Sequence, residues 1–174
     1  MADNGNVALV DLDGTLLIVD RQISLASKEI LGKSLTPREV SGLPRREKHV
    51  VYTLAQSKYA YAAAANRAMK RRLDRMRGVR IVILTARHSD VRKHTLASLR
   101  NAGVRYDAIV CRSGKARLLE DEEWKLRVAR RFAKRFRHVY LYDDKKDNLT
   151  YIKKRLKSRN VSLLRVSRGS VASF

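Results

Sequence analysis

Two aspartates stand one residue apart in VALVDLDGTLL, Val7 to Leu17, directly behind a run of apolar residues. A second acidic pair, Asp143 and Asp144, follows the apolar run HVYLY, with Asp147 and Asn148 close behind. Between them in the chain, VRIVIL leads into Thr85, Ala86 and Arg87. Short apolar runs of this kind suit strands buried on both faces of a parallel sheet, and ligands of such sheets sit beyond the carboxyl ends of the strands. All three groups therefore fall at one sheet edge. Asp11, Asp13, Asp143 and Asp144 gathered there repel one another, raising their pKa values or straining the fold, unless a cation sits among them. An all-oxygen donor set suits magnesium, which is held by one or two carboxylates plus substrate phosphate. Zinc would want cysteine or clustered histidine, and the chain has one cysteine, Cys111, and four isolated histidines. With its charge neutralised, a carboxylate can be a nucleophile toward phosphorus. Singly, Asp13-Gly14 also reads as a turn and Asp143-Asp144 as a solvated loop; the coincidence of both at strand ends argues against that.

The elements that must position these residues alternate. Strands are expected at Val7 to Val10, Val79 to Leu84, Ala108 to Cys111, His138 to Tyr142 and Val161 to Val166. Helical spacing marks Ser89 to Asn101, Glu122 to Phe136 and Asn148 to Lys157. This order predicts an α/β, three-layer Rossmann-like domain over residues 1–174, with a mainly parallel sheet and helices on both faces. A small helical insertion after the first strand is expected at about residues 20–57, turn-like in PREVSGLPRR and readable either as a lid or as an ordinary surface loop. The following YTLAQSKYAYAAAANRAMKRRLDRMR reads as one long helix leading into the second strand.

Composition bounds the partners. The 174 residues make one ordinary domain, and 39 lysines and arginines against 17 acids give a formal charge of +22. Nucleic acid is the commonest partner for so basic a surface, with anionic lipid headgroups or plain solubility as competitors. A lone cysteine excludes an internal disulfide and implies a reducing compartment. With no leader pattern and nowhere eighteen consecutive apolar residues, the expectation is a soluble, cytoplasmic protein without membrane contact, its oligomeric state open. GKS at Gly32 lacks the first P-loop glycine, the position being Ser27, which excludes a kinase half. Tyr52, Tyr59 and Tyr61 stand among Lys58, Arg67, Lys70, Arg71 and Arg72, a mixture that stacks single strands or simply packs the helix against the domain.

DLDGT, Asp11 to Thr15, resembles the first motif of the haloacid dehalogenase superfamily of phosphohydrolases; ILTAR, Ile83 to Arg87, resembles the second, and YDDKKDN, Tyr142 to Asn148, the fourth. The resemblance runs in family order from about residue 6 to residue 166. It implies that Asp11 is the nucleophile and Asp13 the general acid and base, that Thr85 binds a phosphoryl oxygen, and that Asp11, the backbone carbonyl of Asp13, and Asp144 supported by Asp143 hold Mg2+. The family's motif lysine falls to Lys125, in EEWKLRVARRF, or to Lys115, in RSGKAR, which would otherwise bind phosphate. Arg87 matches an arginine found after the second motif in polynucleotide phosphatases, which implies a grip on a substrate phosphate. Asn148 departs from a further acid often found there. Receiver domains use similar aspartates, but place the phosphoacceptor after the third strand, where this chain has only Cys111, Arg112 and Ser113.

The resulting expectation is a magnesium-dependent phosphomonoester hydrolase working through an aspartyl-phosphate on the terminal phosphates of nucleic acid. The layout is similar to the phosphatase half of polynucleotide kinase-phosphatases. The alternatives are a small-metabolite or nucleotide phosphatase, and a catalytically silent basic nucleic-acid-binding protein.

Overall fold

The structure, a computed structural model, describes residues 5–174 apart from the side chain of Arg117. In chain order the elements begin with β1 (Asn6–Asp11), β2 (Leu17–Ile18), α1 (Asp20–Leu31), α2 (Pro37–Ser41), α3 (Arg45–Gln56), β3 (Ala64–Ala65) and α4 (Arg67–Arg75). They continue with β4 (Val79–His88), α5 (Arg92–Asn101), β5 (Ala108–Arg112), α6 (Asp121–Ala133), β6 (His138–Asp143), α7 (Lys146–Arg155), β7 (Val161–Val166) and β8 (Val171–Ser173). None of the described helices is long and apolar enough to cross a membrane.

The chain divides into two compact units. The first comprises the residues up to Leu16, Asn66–His88 and Arg105–Phe174. Its sheet has the order β5-β4-β1-β6-β7-β8, parallel throughout except for the antiparallel pair β7 and β8. The expected α/β sheet is thus present, with its strands where the apolar runs placed them. β1 is central, and Val7, Ala8, Leu9 and Val10 are fully buried, as a strand covered on both faces must be. Complete burial of a valine or leucine side chain is worth about 1.5–3 kcal/mol, so this one strand anchors the layer. Alternate residues point to opposite faces. Val7 and Leu9 face a core with Val82, Leu84, Leu141, Trp124 and Ala129 of α6, and Leu149 and Ile152 of α7. On the other side of the pleat Tyr142 meets Arg72 of α4, whose Met69 and Leu73 are buried. Register does the positioning: Asp11 lies opposite Leu84, and Val10 opposite both Ile83 and Tyr142. Asp11, Thr85 and Asp143 therefore emerge side by side at one edge.

The second unit comprises Leu17–Ala65 and Ser89–Val104. α1 packs on α3, and α2 starts with a capping box in which the Thr36 side chain accepts from the Glu39 amide and Glu39 accepts from the Thr36 amide. Ser98 of α5 donates to the Ala60 carbonyl at 2.9 Å. Lys58 and Tyr59 both bond to Glu29, so these two residues serve the unit's own structure.

The long helix expected from Tyr52 onward is broken. α3 stops at Gln56, a short 3-10 turn covers Ala60–Ala62, and β3 pairs antiparallel with β2 before α4 starts. The reason is local competition for backbone groups. Ser57 Oγ donates to the Thr53 carbonyl at 2.7 Å, and the Asn66 side chain accepts from the amides of Ala68 and Met69, capping a new helix rather than continuing the old one. Alanine propensity loses to a cap and a tertiary strand pair.

Candidate active site

The site is built on the carboxyl ends of β1, β4 and β6 and on the first two turns of α6, all in the first unit. At its centre Lys125, 1 % exposed, donates from Nζ to Asp11 Oδ1 at 2.8 Å and to Asp143 Oδ2 at 2.7 Å. Asp121, one helical turn before Lys125, adds a third carboxylate at 3.3 Å. Asp143 is completely buried and also accepts from the Lys145 amide at 2.9 Å and from the Asn148 side chain at 3.0 Å. Asn148 donates to Asp121 as well, at 3.2 Å. Asn148 thus supplies hydrogen bonds where another carboxylate would add charge.

Asp144 is held by Thr15. The hydroxyl donates to Asp144 Oδ1 and accepts from the Asp144 amide, both at 2.9 Å. Gly14 makes room for this approach: at φ +89° it adopts a conformation that side chains resist, and a Cβ would lie 2.5 Å from Asp144 Oδ2. Asp11, Asp143 and Asp144 each offer an oxygen within 4.8 Å of the others. Among the described residues this is the group that could hold a metal ion. It is hard, anionic and all-oxygen, the donor chemistry that suits Mg2+ rather than zinc.

The electrostatics are those of crowded carboxylates. Burial pushes the Asp11 carboxyl well above its ordinary value; Lys125 pulls it back, and Asp143 and Asp144 push again. Asp144 is raised by burial and by Asp143, against the hydrogen bond from Thr15. Burial works to lower the Lys125 ammonium, but Asp11, Asp143 and Asp121 outweigh it and hold it well above the usual lysine value. Asp121 ends below the carboxylate range: burial raises it, and Lys125 and Lys145 more than compensate. Lys145 and Arg112 each meet Asp121 at 3.4 Å, so Asp11, Asp143 and Asp144 together carry more negative charge than the one lysine bonded among them, Lys125, offsets.

Asp13 points elsewhere. Its carboxylate lies in the fork of Arg87, with Nε at 2.8 Å and Nη2 at 2.5 Å, and stands outside the metal-type group. Arg87 is 2 % exposed, and its Nη1 has no hydrogen-bond partner among the described residues. A buried guanidinium nitrogen without an acceptor is costly unless a ligand supplies one. Thr85, fully buried beside them, accepts from the Arg87 amide at 3.1 Å. Lys115 lies exposed in the 3-10 turn Gly114–Leu118, whereas Lys125 is buried.

Sequence reasoning missed Asp121, Lys145 and Thr15 as parts of this network. Asp121 carried a usable signal, being four residues before Lys125 on one helix, but the helix was expected to start one residue after it. Thr15 was legible only as part of a motif, because its two bonds to Asp144 span 129 positions.

No protein-family model matches the sequence, and no curated protein does. Solved structures do match in shape. A beta-phosphoglucomutase-type protein of Thermotoga maritima superposes with TM-score 0.59 at 16% identity, over 90% of this chain and 83% of that one. A haloacid dehalogenase-like hydrolase of Streptococcus pneumoniae gives TM-score 0.65 at 13% identity, over 96% of this chain and 86% of that one. A chain of the Pnkp1/Rnl/Hen1 RNA repair complex gives 0.53 at 19% identity, over 98% of this chain but only 45% of the other. The chain has the fold of haloacid dehalogenase-like hydrolases.

Proposed function

We propose that this protein is a magnesium-dependent phosphomonoesterase that works through an aspartyl-phosphate on Asp11, with terminal phosphates of nucleic acid as its substrates. The observation that carries the reading is the buried group of Asp11, Asp143 and Asp144 with Lys125 bonded to two of its members. Asp11, Asp143, Asp144 and the Asp13 backbone carbonyl are the groups that would hold Mg2+. An ion bound there would supply the positive charge that lets one anion approach another.

The chain's own residues then divide the work. An Asp11 carboxylate oxygen attacks phosphorus as the ester P–O bond breaks, and Asp13, which must take up a proton within the Arg87 fork before this step, gives that proton to the departing oxygen. Water next attacks the acyl phosphate, Asp13 takes its proton, and inorganic phosphate leaves with the Asp11 carboxylate restored. Lys125 fixes the orientation of Asp11 and offsets charge beside it. Thr85 offers its hydroxyl to a phosphoryl oxygen. Arg87 orients Asp13 through two charge-assisted hydrogen bonds, and its unpartnered Nη1 is suited to a substrate phosphate. The formal charge of +22 favours a polyanionic substrate over a small metabolite. The single cysteine supports placement in a reducing, cytoplasmic setting.

A panel of phosphorylated oligonucleotides and small phosphomonoesters, assayed for phosphate release with Mg2+ and with EDTA, tests the proposal. Magnesium-dependent release from oligonucleotide ends is expected, with kcat/KM at least about tenfold above the small esters (one order is about 1.4 kcal/mol). Turnover confined to sugar phosphates or nucleotides rejects the polymer, and no turnover of any phosphomonoester leaves the binding-protein reading.

Gly14→Ala tests the metal group from the backbone side. The substitution forces a side chain into left-handed φ, at a cost of about 1–3 kcal/mol, and drives the Asp144 carboxylate from its place. The expected result is a Mg2+ requirement raised about tenfold or more in activity titrations, the effect of disturbing a group that supports a metal site. An unchanged titration shows that Asp144 takes no part.

A further inference from the structure

We infer that a basic groove between α4 and the turn into β8 binds the phosphodiester backbone of a nucleic-acid strand, a second contact that extends the proposed function and rests on it for the identity of the polymer. The groove encloses about 450 Å³ and is lined by Arg71, Arg72 and Arg75 with Gly169 and Ser170. It lies wholly within the first unit.

Three features point to an anion. Arg71 and Arg75 are four residues apart, so they lie on one side of α4 with a rise of about 6 Å between them. Like charges at this spacing destabilise a helix, and neither has a carboxylate partner among the described residues. The acid within α4, Asp74, is already engaged by Lys70 at 3.0 Å. Arg72 is exposed yet anchored: its Nε donates to the Tyr142 hydroxyl at 3.1 Å and its guanidinium lies 5.6 Å from that ring's centroid. Anchoring removes much of the entropy cost of presenting a cation to a ligand.

The groove is tied to the candidate active site by one side chain. Asn66, which caps α4, donates from Nδ2 to the Thr15 carbonyl at 3.0 Å and to the Ser167 carbonyl at 3.1 Å. The motif loop, the start of α4 and the turn into β8 are thereby fixed to one another, so a strand seated on α4 rests on an element bonded to the loop that follows Asp13. A lipid surface fits less well. The exposed large apolar residues among those described, Ile30, Val50, Tyr61 and Leu118, come from other segments, leaving the groove no face to insert into a bilayer.

The test compares the double variant Arg71→Gln, Arg75→Gln with a control of equal charge loss, Arg131→Gln, Lys134→Gln at the C-terminal end of α6. Binding of a labelled single-stranded oligonucleotide is followed by fluorescence anisotropy over a salt series, beside hydrolysis of p-nitrophenyl phosphate. The groove variant is expected to lose about tenfold or more in affinity at low salt, with the log–log salt slope reduced by about 1.4, two contacts at about 0.7 each. The control should keep wild-type binding, and both should keep wild-type p-nitrophenyl phosphate turnover. Equal losses in the two variants would mean that bulk charge alone binds, which overturns the groove. Undiminished oligonucleotide binding overturns it too, as does a loss confined to phosphatidylglycerol vesicles. If the groove effect holds in a protein that hydrolyses no phosphomonoester, the proposed activity fails and the binding site stands.

Discussion

Asp11→Asn is expected to abolish phosphate release from every substrate the wild type accepts, by about 10⁴-fold or more, the scale on which enzymes lose a nucleophile. Asparagine keeps the shape of aspartate and can still meet the Lys125 ammonium through its amide oxygen, now without charge assistance. What it lacks is an anionic oxygen able to form an acyl phosphate. Burial and the neighbouring Asp143 and Asp144 oppose the ionisation of Asp11, so its replacement relieves that repulsion. The folded state should therefore survive, with a melting temperature in EDTA no more than a few degrees from wild type. Chromogenic phosphomonoester hydrolysis and thermal unfolding of the same preparations measure the two halves. Residual turnover within about tenfold of wild type, in a folded variant, would remove Asp11 from the chemistry and with it the aspartyl-phosphate. Loss of turnover together with loss of folding would make Asp11 a structural acid, and oligonucleotide affinity would then be the property left to explain.

The sheet was legible because parallel strands buried on both faces leave short, continuous apolar runs. β7 was read with both of its ends in place, and the other four major strands lacked only one to four residues at their termini. The edge on which the acids meet followed from the same runs, since strand direction and register then fix which residues emerge together. What escaped was of two kinds. β2, β3 and β8 have two or three residues each, too few to make a period, and owe their existence to pairing. The break after Gln56 depends on Ser57 and Asn66 winning backbone groups from an alanine-rich helix, a contest that propensity alone decides the other way. In the candidate site, the meeting of Asp11, Asp143 and Asp144 at one edge was readable but side-chain orientation was not. The turn of Asp13 toward Arg87 is a rotamer choice made across 74 positions. The role of Asp121 depends on a helix starting one residue earlier than its periodicity suggested.

Lys125→Met should cost both stability and activity, and the way magnesium offsets the loss distinguishes its role from simple core packing. Methionine nearly matches the lysine stem in length, so little cavity is created; what disappears is the positive charge bonded to Asp11 and Asp143. Removing one partner of a buried ion pair destabilises by about 3–5 kcal/mol, and each kcal/mol moves the midpoint of a chain this size by about 2–4 °C. A fall of about 6–20 °C in EDTA is the expected result. Mg2+ should then raise the variant's melting temperature by more than it raises the wild type's, because the ion supplies charge that the lysine no longer does. Turnover should stay about 10³-fold down even at saturating Mg2+, as when a preorganised charge beside the reacting group is lost. Should the single variant fail to fold, Lys125→Met combined with Asp143→Asn removes the repulsion along with the charge, and the pair should be more stable than the single change while remaining inactive. Coupling of that sign identifies mutual neutralisation. A single variant that melts within about 2 °C of wild type, less than the shift for one kcal/mol, would mean that Asp11 and Asp143 do not depend on this lysine.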